Sequence, residues 1–298
     1  MKRKHKVVSE SKNHVLSNSS GRIELWTRES LPFPAGKVSD LPSWVEKTLM
    51  PLRGALESLE TEQDELIKAE YITQERRADV ENVLFYNVRK DTSFKKSSRN
   101  GLRFYYEDDT PPEPPEREEY YPHYQSYQLV KKETPFLNGY EKIASYEFAL
   151  PLSQNPELND VWWGSVNAEW NLNAERKLKL NRGEALERFA VRVDARYPQL
   201  KGEYAVRRVK KVFDGIASAM HFWKNPHEKL VRKVVSHLKV SSKSVREKFQ
   251  VNEHALLGER HSSPNWNPAD DRCIAGELLL TPNTEDEWRF KVEILAVK

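Results

Sequence analysis

Short runs of aliphatic, β-branched and aromatic residues punctuate the chain, each stopped by a polar or proline-bearing turn, and such runs call for sheet. They cover 80–88 (VENVLFYNV), 101–108, 123–132 and the segment KIASYEFALPL. Further along come 189–198, where Ala190, Arg192 and Asp194 alternate with Val191, Val193 and Ala195, and then CIAGELLLTP and WRFKVEILAV, joined by NTEDE. Two stretches follow helical spacing instead. Ser43 and Glu46 can form a capping box, and Leu49, Leu52, Leu56, Leu59 and Leu66 then recur on one side. This predicts a helix from near Ser43 to the 73–79 region, with Pro51 a place for a kink. In GEYAVRRVKKVFDGIASAMHFW, residues Val206, Val209, Phe213, Ile216, Ala217 and Met220 share one side. The expected fold class is α+β, with two β-containing halves and a long N-terminal helix.

A length of 298 residues allows one large or two ordinary domains. The expected organisation is a mobile basic tail over 1–21, a helix plus β-rich half over 22–154, and an α+β half over 155–298 that carries a candidate acidic site. The boundary is expected between Pro151 and Asp160. The acidic, five-proline segment DDTPPEPPEREEYYP reads as a mobile loop.

Only 38% of the chain is hydrophobic and 31% is charged, but 8 Trp, 12 Tyr and 11 Phe supply surface to bury, which argues against disorder. A single cysteine, Cys273, excludes an intramolecular disulfide framework and fits a reducing compartment. The basic start lacks the apolar stretch of a secretory signal, and no run is long enough to span a bilayer. The expectation is a soluble, cytoplasmic protein with no membrane partner.

The sequence has no P-loop, dinucleotide glycine fingerprint, nucleophile elbow or HExxH. Its charge is unevenly spread. Residues 201–250 hold thirteen Lys/Arg against four Asp/Glu, while 104–120 hold seven acids against Arg117 alone. Arg207, Arg208, Lys210, Lys211, Arg232 and Lys233 are therefore the candidate phosphate contacts, with Phe222 and Trp223 as aromatics beside them. Asp214 in the second helix and Asp270 and Asp271 before the penultimate strand are candidate metal ligands, because metal-assisted phosphodiester hydrolysis needs converging carboxylates. Glu277 lies within that strand. His221, His227, His237, His254 and His261 form a competing cluster in sequence, although no two sit at the i, i+4 spacing of a helical metal pair. Each of these residues also has an ordinary structural reading, as a turn, a solvated face or core.

The stretch YAVRRVKKVFDGIASAMH, the later PADDRCIAGELLL and the closing FKVEILAV together resemble the RusA-type Holliday junction resolvases over the C-terminal third. In that family a Lys-Pro-Asp-x-Asp-Asn stretch opens a helix, and a later Asp-Asp pair precedes the final strands. Lys210, Asp214 and Gly215 fall on the family's Lys, second Asp and Asn, and Asp270 and Asp271 on its later pair. Val212 stands where the family has its first Asp, and Lys211 where it has Pro. The resemblance implies a homodimer that cleaves branched DNA with magnesium. The expected function is a nucleic-acid-processing protein, a magnesium-dependent endonuclease acting on branched or single-stranded DNA. The alternative is a non-catalytic component of a bacterial defence or mobile-element system that binds nucleic acid or a partner protein.

Overall fold

In the computed structural model, residues 6–19, 21–32, 42–75, 79–88, 92–115, 119–151, 155–198, 203–266 and 270–297 are described, without the side chains of Pro151 and Asp270. The class is α+β. Two compact units make up the chain: Met1–Phe136 with Glu203–Arg207 and Ile274–Leu280, and Leu137–Gly202 with Arg208–Cys273 and Thr281–Lys298.

The first unit is built on a sheet ordered β1 (Lys6–Glu10), β2 (His14–Ser19), β3 (Arg22–Thr27), β6 (His123–Lys131), β4 (Glu65–Ile72), β5 (Gly101–Glu107) and β12 (Cys273–Asn283). Its pairings are antiparallel except β4 with β5. Because side chains alternate across a strand, one face gathers Ile23, Leu25, Tyr127, Ile67, Ala69, Leu102 and Phe104, all buried. Helix α1 (Ser43–Glu57) packs near β2 and β3, where Thr48 Oγ1 meets His14 Nδ1 at 2.9 Å. The other face combines a small buried cluster, Val15, Trp26, Tyr121 and Tyr124, with buried polar pairs. Arg22 Nη2 donates to Glu70 at 2.9 Å, Tyr124 at 3.0 Å and Ser126 at 3.2 Å, and Arg103 pairs with Glu277 at 2.6 Å.

Five expectations change here, the first being the Ser43–Glu46 capping box, because Pro42 is the N-cap of α1 and no side chain caps it. Residues 6–19, expected as part of a tail, form β1 and β2, because Val15 and Leu16 are fully buried once β2 pairs with β3. The long N-terminal helix stops at Glu57, where Ser58 Oγ bonds the Ala55 carbonyl; Leu66 then lies on strand β4, so its helical spacing is coincidental. The 80–88 run is helical rather than extended. Asn82–Tyr86 is a π-helical turn closed by the Asn87 N–H on the Asn82 carbonyl at 2.8 Å. Val83, Leu84 and Phe85 are buried there, and a continuous apolar run can be buried in either conformation. Finally, the acidic proline loop is docked: Pro111 and Pro114 are buried, Trp26 Nε1 donates to the Pro112 carbonyl at 2.7 Å, and Arg28 pairs with Glu119. Its residues 116–118 lie outside the described part.

The second unit carries the antiparallel strands β9 (Phe189–Pro198), β13 (Glu287–Val297), β7 (Tyr140–Pro151) and the short β8 (Asn171–Leu172), in that order. Its helices are α2 (Leu158–Asn167), α3 (Ala174–Asn181), α4 (Ala205–Ala219, whose first residues belong to the first unit), α5 (Glu228–Leu238) and α6 (Ser242–Gln250). A small parallel pair, β10 (His221–Trp223) with β11 (Gly258–Arg260), flanks α5 and α6 in sequence. Val209, Val212, Phe213 and Ile216 of α4 are buried, as the helical spacing requires. Gly215 allows α4 to approach α2 closely, since a Cβ there would lie 2.7 Å from Cβ of Val161. Among the described residues no helix is long and apolar enough to cross a membrane.

Candidate nucleic-acid interface

The acids expected as metal ligands occupy different settings. Asp214 lies on the inner part of α4, 7% exposed, with Oδ1 3.0 Å from Lys210 Nζ one turn earlier. Asp270 and Asp271 fall on a single 3-10 turn, Asp270–Arg272, just before β12. Asp271 is exposed, and the Asp270 side chain lies outside the described part. Glu277 is buried against Arg103. Among the described residues no three His, Cys, Asp or Glu side chains gather so as to hold a metal ion.

The five histidines go separate ways. His221 is buried on β10 and donates Nδ1–H to the Gly258 carbonyl at 3.2 Å; burial lowers its pKa to about 4. His227 accepts from the Lys229 N–H at the start of α5, and His237 at its end meets Asp160 at 2.9 Å. His254 stacks on Trp170 with ring centroids 4.6 Å apart, and burial lowers its pKa too. His261 is exposed.

Three of the four expected cations of α4 are engaged within the protein. Arg207 is exposed, but Arg208 is 2% exposed with its guanidinium 5.6 Å from the Trp288 ring centroid. Lys210 is engaged by Asp214, and Lys211 by Glu157. Trp223, expected beside them as a stacking aromatic, is fully buried. The basic surface lies further along.

Helices α5 and α6 form a helical pair joined by Lys239, Val240 and Ser241. In α5, Leu230, Val231 and Val234 occupy one buried stripe. It ends where Lys239 adopts left-handed backbone angles (φ 55°, ψ 35°) and its N–H bonds the Val235 carbonyl at 2.8 Å. Ser241 then caps α6, its Oγ accepting from the Ser244 N–H at 3.1 Å, and Val245 and Phe249 are buried one turn apart. Phe249 stacks on Trp162 of α2 at 4.3 Å and touches Trp266 at 5.7 Å. Aromatic pairs of this kind are each worth about 0.5–1.5 kcal/mol beyond the area they bury, so α6 is held firmly by its inner side.

The outer side is cationic. Lys224, Lys229, Arg232, Lys233, Lys239 and Lys243 are exposed, and Arg246 is half-buried. Residues 224–250 hold eight Lys/Arg and two acids, Glu228 and Glu247, a balance of 8 − 2 = +6. Glu228 is engaged by both Arg246 and Arg232, which hold its carboxyl below the usual range. Of the expected phosphate contacts, Arg232 and Lys233 belong to this surface. Lys243, Arg246 and Gln250 on α6 were missed. The signals that mark α6 in the sequence are the Ser241 cap, the Val245–Phe249 spacing and the cations between them.

Comparison with protein-family models and with curated proteins gives no match.

Proposed function

We propose that this protein binds nucleic acid through the α5–α6 helical pair, as a binding component rather than through a metal-dependent active site. The observation that carries the reading is the surplus of six positive charges over 224–250, with six of the eight cations on solvent-facing positions. Phosphate backbones are held by such cations when a rigid scaffold presents them side by side, and each contact releases condensed counterions. Trp162, Phe249 and Trp266 supply that scaffold beneath α6. Asp214 bonds Lys210 one turn earlier and Gly215 allows the close approach of α2, so helix packing accounts for two of the five positions that fall on resolvase residues.

The test is the affinity of the purified protein for a fluorescent mixed-sequence oligonucleotide, measured by anisotropy. The triple variant Lys229→Ala, Lys233→Ala, Lys243→Ala changes exposed side chains only, and its circular dichroism should match that of the parent. The expected loss of affinity is at least about tenfold at moderate salt. An unchanged affinity removes this surface as the binding site.

A further inference from the structure

The shape of the same surface narrows the ligand. We infer that α5 and α6 form a helix-turn-helix that docks on B-form duplex DNA, with the outer face of α6 in the major groove; this rests on the nucleic-acid-binding reading above. Three observations point there. The first is connectivity. Two helices of 11 and 9 residues are joined by only three residues, a length that helix-turn-helix units use to turn one helix across the next. The left-handed Lys239 makes so short a turn feasible, and the Ser241 cap starts α6 at once.

The second is what the pair presents. With Val245 and Phe249 facing inward, Ser242, Lys243, Glu247 and Gln250 are exposed on α6, and Arg246 lies beside them against Glu228. Lys243, Arg246 or Glu247, and Gln250 are spaced three to four residues apart, so they line one side of the helix. Their chemistry suits base edges: Lys and Arg donate to the O6 and N7 of guanine, Gln pairs with the N6 and N7 of adenine, and Glu accepts from the N4 of cytosine. Lys229, Arg232 and Lys233 project from α5 instead, where cations serve to fix the register on phosphates.

The third is fit. A helix with its side chains is about 10–12 Å across and the major groove of B-DNA about 12 Å wide. The major groove of an A-form RNA duplex is too deep and narrow for such a helix. A single strand would call for exposed stacking aromatics, whereas Trp162, Trp223 and Phe249 are buried and Phe222 and Trp266 are half-buried.

The experiment compares duplex DNA of about 30 base pairs with the same sequence as single strand and as RNA duplex, in one buffer of moderate salt. It then selects bound duplexes from a randomised pool, with the wild type and with Lys243→Ala, Gln250→Ala and Lys233→Ala. The expected result is at least tenfold tighter binding of duplex DNA and an enriched sequence. Methylation of guanine N7 within that sequence should block binding. Lys243→Ala and Gln250→Ala should change the enriched bases, while Lys233→Ala should weaken binding to all duplexes alike. Equal binding of the three nucleic acids, or binding indifferent to N7 methylation, overturns the helix-turn-helix inference and leaves the phosphate-binding reading standing. No binding of any nucleic acid overturns both.

Discussion

Lys210 Nζ sits 3.0 Å from Oδ1 of Asp214, one turn apart on α4 and with side-chain exposures of 22% and 10%. On an exposed helix this order, cation first, is the weaker one, so the pair gains its worth from burial. Removing the cation leaves a carboxylate largely shielded from water. Lys210→Met should therefore cost about 1–3 kcal/mol, and Asp214→Asn less, because Asn keeps an acceptor. Urea denaturation of both single variants and the double variant measures the coupling. A coupling below about 0.3 kcal/mol would show that the two groups do not depend on each other.

A second pair is more deeply set. Arg103 Nε lies 2.6 Å from Glu277 Oε1, with both side chains about 5% exposed, and the guanidinium also donates to the carbonyls of Lys132 and Thr134. Glu277→Ala strands this buried cation and should cost about 3–5 kcal/mol, whereas Glu277→Gln, which still accepts, should cost clearly less. Equal losses for the two variants would show that the carboxylate charge is immaterial.

Acid should destabilise the fold through its buried histidines. Burial lowers the His221 pKa from 6.5 to about 4, and His14, His123 and His254 move in the same direction for the same reason. The folded state therefore binds fewer protons than the unfolded state. The stabilisation is complete above about pH 6.5, declines as the unfolded imidazole protonates, and is gone near pH 4. For His221 alone the full span is worth about 3 kcal/mol. Denaturation at pH 7 and pH 5 should show wild type losing about 2 kcal/mol more than His221→Asn. Identical losses would contradict the burial argument.

At the turn between α5 and α6, Lys239 holds φ 55°, a conformation that costs a residue with a Cβ roughly 1–2 kcal/mol. Lys239→Gly should raise stability by up to about 1 kcal/mol, and the β-branched Lys239→Val should lower it by a similar amount or more. A glycine variant less stable than the parent would mean that the turn is not left-handed.

How much of this was legible in the sequence varied with the strength of the local signal. Alternation over 189–198 marks β9 from Phe189 to Pro198, and the two closing runs are β12 and β13. The α4 stripe was equally readable, because Val206 to Met220 keep one period throughout. The 80–88 run misleads because uninterrupted apolar residues carry no period, so tertiary packing decides between helix and strand. The N-terminal helix reads too long in the sequence because Leu59 and Leu66 keep helical spacing across a turn that no Gly or Pro announces. The cations of α4 looked exposed since charge suggests solvent, yet Arg208 is buried beside Trp288 and Lys211 reaches Glu157. The α5–α6 pair shows in the sequence chiefly as a basic segment, although Leu230, Val231, Val234 and Leu238 and then Val245 and Phe249 keep helical spacing between the cations.

The salt dependence of binding tests the central claim most directly. If Lys229, Arg232, Lys233 and Lys239 meet phosphates while Lys243 faces the bases, log K against log salt should fall with a slope of roughly −3 to −4. The triple variant, which lacks the phosphate contacts Lys229 and Lys233, should reduce that slope by about 2. A slope near zero, or a steep slope that the triple variant leaves unchanged, would contradict the account.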